Sequence, residues 1–140
     1  MRPRICAMLG VISAFWLLVI RAGAESKTRT RVCQDGKEVS FARDVLPPLQ
    51  ESCASCHHSE RTVPAPDLTA QAAYTNTVGK KSTFVEELLV RPGDPGHSFL
   101  VEKIAGKPRF GQQMPPYGRP LTPRELKHLI EWIKQGAKNN

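Results

Sequence analysis

The sequence is poor in aromatic residues and contains no internal repeat and no low-complexity tract. Phe, Trp and Tyr make up 6% of the 140 residues, and the basic residues are scattered instead of being interleaved with them. Proteins that hold single-stranded nucleic acid combine aromatic stacking platforms with basic grooves, so we expect no nucleic-acid partner. Convincing alternation of apolar and polar residues is also lacking, which excludes an obvious hairpin and favours a helical domain.

The only long apolar run covers residues 5–20, ICAMLGVISAFWLLVI. Basic residues precede it, and the small residues Ala22-Gly23-Ala24 follow in an A-x-A pattern. This arrangement is typical of a secretory signal peptide, so we expect cleavage after Ala24 and a periplasmic location. The alternative is an uncleaved membrane anchor, although a spanning helix needs about 20 apolar residues and Arg21 ends this run after 16.

Cleavage would leave 116 of the 140 residues, which is the length of one small domain. We divide the mature chain into an N-terminal arm, residues 25–38, and a domain, residues 39–138. The leader carries three of the 20 basic residues and none of the 13 acidic ones, so the mature net charge is +4. This charge suits docking on an acidic face of a partner protein, or weak attraction to anionic lipid.

Three of the four cysteines remain after cleavage: Cys33, Cys53 and Cys56. An odd number in an exported protein is unlike a disulfide framework. A zinc site normally has four ligands, and although His57 and His58 adjoin Cys56, no second ligand pair occurs. A thioredoxin-like C-x-x-C would lie in a βαβ pattern, which is missing here. For Cys33 we expect a free thiol, with an intermolecular disulfide as the alternative.

The motif C-A-S-C-H at residues 53–57 matches the attachment signature of c-type haem. Two thiols three residues apart, at the end of a helix, can reach the two vinyl groups along one edge of a porphyrin. The following residue then brings its imidazole close to the iron. The spacing therefore predicts thioether bonds from Cys53 and Cys56 and proximal iron ligation by His57, with His58 as a surface neighbour.

Met114 is the only methionine outside the leader and is our first choice for the second iron ligand. It lies in GQQMPPYGRPLT, where a stiff Pro-Pro segment suits a fixed iron–sulfur bond. Two alternatives stay open: Met114 fills a gap in the core, or His97 in PGDPGHSF is the ligand. We expect His128 to be solvated, because it lies off the apolar stripe of the last helix.

The helices are predicted from their caps and their apolar spacing. A first helix is expected in FARDVLPPLQESCASCHH, residues 41–58, with Asp44 as its N-cap and Pro47 and Pro48 in its first turn. A short second helix is expected in AAYTNTV, residues 72–78.

A third helix is predicted in SFLVEKIAG, residues 98–106, between a Ser98 cap and Gly106. The last helix starts at a capping box formed by Thr122 and Glu125 and ends at Gly136. Its apolar residues recur at helical spacing, with Trp132 beside them and able to pack on the first helix: Leu126, Leu129, Ile130 and Ile133.

Three segments resemble the small monohaem c-type cytochrome domains of bacteria: VSFARDVLPPLQESCASCH, RPGDPGHSFLVEKI and MPPYGRPLTPRELKHLIEWIKQGA. They span residues 39–137, although residues 60–91 are not diagnostic. The resemblance implies an all-α, class I-like cytochrome c domain in which the first and last helices cross near the haem edge. It also implies one covalently bound haem c, with His57 and Met114 as axial ligands.

The resemblance further implies contacts around the haem. A backbone carbonyl beyond C-x-x-C-H would accept the second imidazole N–H, and Pro64 or Pro66 would supply it. Contacts to the propionates or the haem edge are expected from a further set of polar residues: Arg91, Arg109, Gln112 and Tyr117.

With both axial positions filled, the iron has no open position for a substrate and exchanges only electrons. The sequence therefore favours an electron carrier, or an electron-transfer subunit, instead of an enzyme in its own right. Its partners would be a dehydrogenase, an oxidase or another cytochrome. One alternative is a haem-based sensor or peroxidase-type enzyme from which Met114 dissociates. Another is an exported module without haem, whose C-x-x-C forms a disulfide or a zinc site.

Overall fold

The computed structural model describes residues 37–60, 65–106 and 108–140, and this part of the chain is helical. Its β-type pairing is limited to two isolated bridges, Val78 with Val90 and Lys81 with Leu88. The predicted all-α class is therefore confirmed. The expected signal peptide, residues 25–36 of the expected arm, Cys33 and Pro64 lie outside the described residues. Among the residues described, no helix has both the length and the apolar character that spanning a bilayer requires.

The first helix, α1, is continuous from Phe41 to Ala54 and leads to the two predicted haem-binding cysteines. It has three parts: π-helical Phe41–Val45, α-helical Leu46–Leu49 and π-helical Gln50–Ala54. Pro47 and Pro48 lie in its middle, where proline removes an amide donor and crowds the carbonyl four residues earlier. The regular α-helical pattern is accordingly confined to one turn, and wider π-helical turns flank it.

The predicted N-cap of α1, Asp44, is wrong, because the helix begins one turn earlier. Ser40 is the N-cap: its hydroxyl accepts the Arg43 N–H at 3.3 Å, while the Asp44 carboxylate accepts the Ser40 N–H at 2.9 Å. Asn140 accepts the Phe41 N–H through its side-chain oxygen, at 2.9 Å. These acceptors satisfy amides that have no partner inside the helix, so residues 41–44 can be helical.

Two short helices follow, namely α2 (Ala73–Thr77) and α3 (Phe99–Ala105), with a 3₁₀ turn (Pro95–His97) before α3. Both helices were predicted. Ser98 does precede α3, but its side chain does not cap the helix. The hydroxyl instead donates to the Asp94 carbonyl at 2.8 Å and accepts the Arg91 N–H at 2.9 Å. Gly106 ends α3 with a φ of 97°, a value that favours glycine.

The last helix, α4, spans Pro123–Lys134 and has the predicted capping box. The Thr122 hydroxyl accepts the Glu125 N–H at 3.3 Å, and the Glu125 carboxylate accepts the Thr122 N–H at 2.7 Å. Gly136 follows the helix with a φ of 100°, as expected for the position after a helix end. The start and the end of α4 are therefore confirmed.

The core lies where the start of α1 packs against α4. The predicted contact of Trp132 with the first helix is confirmed, since its ring centroid is 5.1 Å from that of Phe41.

Tyr74 of α2 completes the aromatic cluster, because its ring centroid is 5.3 Å from that of Phe41 and the two rings meet edge to face. Its hydroxyl donates to the Ala137 carbonyl at 3.0 Å, and the Trp132 indole N–H donates to the Lys138 carbonyl at 2.8 Å. This aromatic cluster joins three helices around buried aliphatic side chains: Val45, Leu49, Leu129 and Ile133.

Candidate functional site

One cavity brings together all four residues that the sequence predicts to hold a haem. It has a volume of about 1010 Å³, and Cys53, Cys56, His57 and Met114 all line it. Sites for small molecules and cofactors typically have about 300–1,000 Å³. The cavity is therefore large enough for a bulky organic cofactor.

The two cysteines and the histidine are placed by the turn that ends α1. The Cys53 carbonyl accepts the N–H groups of Cys56, at 3.0 Å, and of His57, at 2.9 Å. The His57 carbonyl in turn accepts the Leu68 N–H at 2.9 Å, which fixes the turn to a later segment. Both cysteines are free thiols, Cys53 buried and Cys56 exposed. Two thiols and an imidazole thus belong to one short stretch of the cavity lining, as C-x-x-C-H attachment requires.

The Cys53 thiol is uncharged at neutral pH. Burial raises its pKa to about 11, with a smaller contribution from the nearby Cys56. Across the described ranges, no three His, Cys, Asp or Glu side chains come together as a metal-binding group. The disulfide and zinc alternatives stay hypotheses.

Met114 shares the cavity with His57, whereas His97, the alternative ligand, does not line it. The His97 Nδ1 atom lies 2.7 Å from the Asp94 carboxylate, and 70% of its side chain is exposed. Met114 is half-buried and does not belong to the buried core. The gap-filling role that remained open for Met114 thus finds no support in its packing.

The residues expected around the haem edge divide into two groups. Gln112 and Tyr117 line the cavity, but Arg91 and Arg109 do not. The Arg109 guanidinium is bound to two carboxylates, with its Nε atom 2.8 Å from Glu102 and a close contact from Nη2 to Glu87. Arg109 is thus already paired with two carboxylates of the protein itself.

The expected hydrogen bond from His57 to a proline carbonyl stays a prediction. Pro66 lines the cavity, while Pro64 lies outside the described residues. His58 and His128, which were expected at the surface, are both half-buried and do not line the cavity.

Much of the cavity wall comes from a segment without a diagnostic sequence pattern. Residues 65–68 and 80–84 line the cavity, and of these only Pro66 was expected near the site. Lys103 also lines the cavity. The helix that carries it was predicted, but no role at the site was predicted for Lys103 itself. Loop residues follow neither helical nor strand periodicity, so their common position depends on the tertiary structure.

Three aromatic side chains at the cavity are exposed. They are the large apolar side chains most open to solvent in the described part of the chain, and all three line the cavity: Phe84 (49% exposed), Phe110 (48%) and Tyr117 (88%). The rings of Phe84 and Phe110 stack on each other, with centroids 5.2 Å apart. Clustered exposed apolar groups mark a surface that a ligand or a partner covers. An apolar macrocycle such as a porphyrin fits this lining.

Comparison of the chain with protein-family models, with curated proteins and with solved structures finds no match. The C-x-x-C-H motif and the geometry of the cavity are therefore the features that point to a function for this chain.

Proposed function

We propose that this chain is an exported class I-like monohaem c-type cytochrome that carries single electrons between redox partners. The observation that carries the proposal is that Cys53, Cys56, His57 and Met114 line the same large cavity. Two thiols, an imidazole and a thioether are the groups by which c-type cytochromes hold haem. The exposed aromatic side chains of the cavity wall are consistent with the burial of a large apolar ring.

Each of the four residues has a distinct role in this proposal. Cys53 and Cys56 would hold haem c by thioether bonds, and His57 and Met114 would be its proximal and distal iron ligands. When bound, the haem supplies one-electron exchange between Fe(III) and Fe(II). A thioether from Met114 would favour the ferrous form and so raise the reduction potential. With His57 and Met114 both holding the iron, the protein would pass electrons without binding a substrate there.

The proposed partners are redox proteins such as a dehydrogenase, an oxidase or another cytochrome. The mature chain has a net charge of +4 if the leader is removed, which suits an acidic docking face. Export places the protein in the periplasm, and an uncleaved leader would anchor it to the membrane through residues 5–20.

The absorption spectrum of the oxidised protein tests the role of Met114. Material exported by a host with c-type haem maturation should show the weak band near the red end of the visible range that reports an iron–sulfur bond. Met114→Ala should keep its covalent haem, lose this band, bind carbon monoxide in the reduced form and have a lower potential. Lys127→Met, on the exposed face of α4 and outside the cavity lining, is the control and should keep the band.

Two results would contradict the proposal in different ways. A colourless product without haem would exclude a cytochrome altogether. Attached haem that lacks the band and binds carbon monoxide in the wild-type protein would favour the sensor or peroxidase alternative.

A further inference from the structure

The loop that carries Met114 is fastened to the carboxyl end of α3. The Met114 N–H donates to the Lys103 carbonyl at 2.7 Å, and the Gln113 side-chain amide donates to the Ile104 carbonyl at 3.0 Å. The segment before Met114 therefore runs back along the last turn of α3. These contacts fix the backbone on which the proposed distal ligand is carried.

The Lys103 side chain adds a second set of contacts to the same loop. Its ammonium group donates to the Phe110 carbonyl at 3.1 Å and makes a close hydrogen bond to the Gln112 carbonyl. Its nitrogen lies 5.9 Å from the centroid of the Phe99 ring, which is within the range of a cation–π contact. One half-buried cation thus holds the two carbonyls on either side of Gly111. Hydrogen bonds from an ionised donor are stronger than neutral ones.

Two glycines leave room for these contacts. A Cβ atom at Gly111 would lie 3.2 Å from the Lys103 nitrogen, and a Cβ atom at Gly106 would lie 3.2 Å from the Gln113 side-chain oxygen. Both glycines also have a positive φ, 66° for Gly111 and 97° for Gly106, which other residues rarely adopt. Because Gly111 has no side chain, the loop can approach the Lys103 ammonium group. Because Gly106 has none, the Gln113 side chain has room beside the end of α3.

From this geometry we infer that Lys103 is a positioning residue that determines how firmly Met114 is held at the haem iron. The inference depends on the proposed function. A thioether is a weak, neutral ligand, so its occupancy of the iron depends on how strictly the protein restrains the loop that carries it. Loss of the ammonium group would release the carbonyls of Phe110 and Gln112 and widen the range of positions open to Met114. Lys103 thereby favours electron transfer over the binding of small molecules at the iron.

The test is the rate at which carbon monoxide binds the reduced holoprotein. Carbon monoxide needs an open iron, so its observed rate follows the fraction of molecules in which Met114 has dissociated. Lys103→Leu removes the donors, keeps part of the apolar stem and adds no thioether that could itself bind the iron. We expect the rate to rise about tenfold, because two charge-assisted hydrogen bonds are lost at a half-buried position. The iron–sulfur band of the oxidised form should weaken in the same variant.

Two further variants separate positioning from a general effect of charge. Lys103→Arg keeps a cation with several donors and should restore a rate close to that of the wild type. Lys127→Met removes a lysine from the exposed face of α4, away from the cavity lining, and should leave both the rate and the band unchanged. If Lys103→Leu fails to incorporate haem, Lys103→Gln, which is neutral but still polar, takes its place and should also raise the rate.

The outcomes distinguish this inference from the proposed function. Attached haem is verified first, by the pyridine haemochrome of the wild type, and its absence would contradict the proposed function itself. With haem attached, a neutral Lys103 variant that keeps the wild-type rate and band would overturn the positioning role. An equal rise in Lys127→Met would overturn it too, since the cause would then be net charge.

Discussion

Arg119 connects the segment that follows Met114 to α1, which lines the cavity, and to α4. Its two ion pairs should differ in strength. Its guanidinium makes two hydrogen bonds to Glu125 of α4, at 2.9 and 3.1 Å, and one to Glu51 of α1, at 2.9 Å. The side chain of Glu125 is 26% exposed and that of Glu51 is 66% exposed, with Arg119 between them at 35%. The pair with Glu125 has two hydrogen bonds instead of one and is less exposed than the pair with Glu51, so it should be the stronger of the two.

The magnitudes follow from these differences. Exposed ion pairs contribute about 0.2–1 kcal/mol, and a bidentate Arg–carboxylate pair is stronger than a single contact. We expect the coupling free energy between Arg119 and Glu125 to lie near the top of this range and that between Arg119 and Glu51 near its bottom. High salt should abolish the second coupling almost completely and reduce the first only in part, because partly buried pairs are screened less.

Double-mutant cycles measure the two couplings directly. Urea unfolding of the holoprotein, followed by circular dichroism, gives the free energy of unfolding for Arg119→Met, Glu125→Gln, Glu51→Gln and both double variants. A coupling from the Glu51 cycle that equals or exceeds that of the Glu125 cycle would contradict this ranking of the two ion pairs. A Glu125 coupling that disappears in high salt would likewise show that the pair behaves as an exposed one.

Three further predictions concern the core, the attachment site and the acid limb of stability. Phe41→Ala should lower the free energy of unfolding by about 3–5 kcal/mol, because Phe41 is buried in the core and only 3% exposed. The haem spectrum should stay unchanged, because Phe41 does not line the cavity. A shifted spectrum would show that the core and the site are coupled. Cys53→Ala combined with Cys56→Ala should abolish covalent haem and most of the helical circular dichroism, since a cavity of this size without an occupant weakens a small domain; a well-folded double variant would contradict this. Hydrogen bonds from Arg119, and then from the Thr122 amide, lower the pKa of Glu125 from its usual 4.5 to about 2. The contribution of Glu125 to stability is therefore complete above pH 4.5 and is lost as the pH falls toward 2. The free energy of unfolding should accordingly fall less steeply with decreasing pH in Glu125→Gln than in the wild type. An identical pH dependence would exclude this role.

The features that sequence predicts well are those with local causes. The C-x-x-C-H turn and the Thr122 capping box each depend on residues within four positions of one another, so spacing alone was enough to predict them. Met114 could be proposed by elimination, since no other methionine lies outside the leader. The motif and this elimination together single out Cys53, Cys56, His57 and Met114, and the structure places all four in the lining of one cavity.

The features that sequence missed depend on competing or distant contacts. Asp44 was expected to begin α1, but its carboxylate pairs with the Ser40 amide and allows the helix to start earlier. Lys103 acts on carbonyl groups seven and nine positions further along the chain, and carbonyl groups carry no side-chain signature. The aromatic lining from Phe84 and Phe110 lies in loops, where no periodicity marks it.

Peptide mapping of the exported protein tests most directly whether haem is bound through the C-x-x-C-H motif. Trypsin cleavage after Arg43 and Arg61 releases residues 44–61, which contain Cys53, Cys56 and His57. We predict that this peptide carries the added mass of one haem and absorbs in the Soret region, and that Cys53→Ala with Cys56→Ala removes both signals. Recovery of the unmodified peptide from a host that matures c-type cytochromes would contradict the proposal.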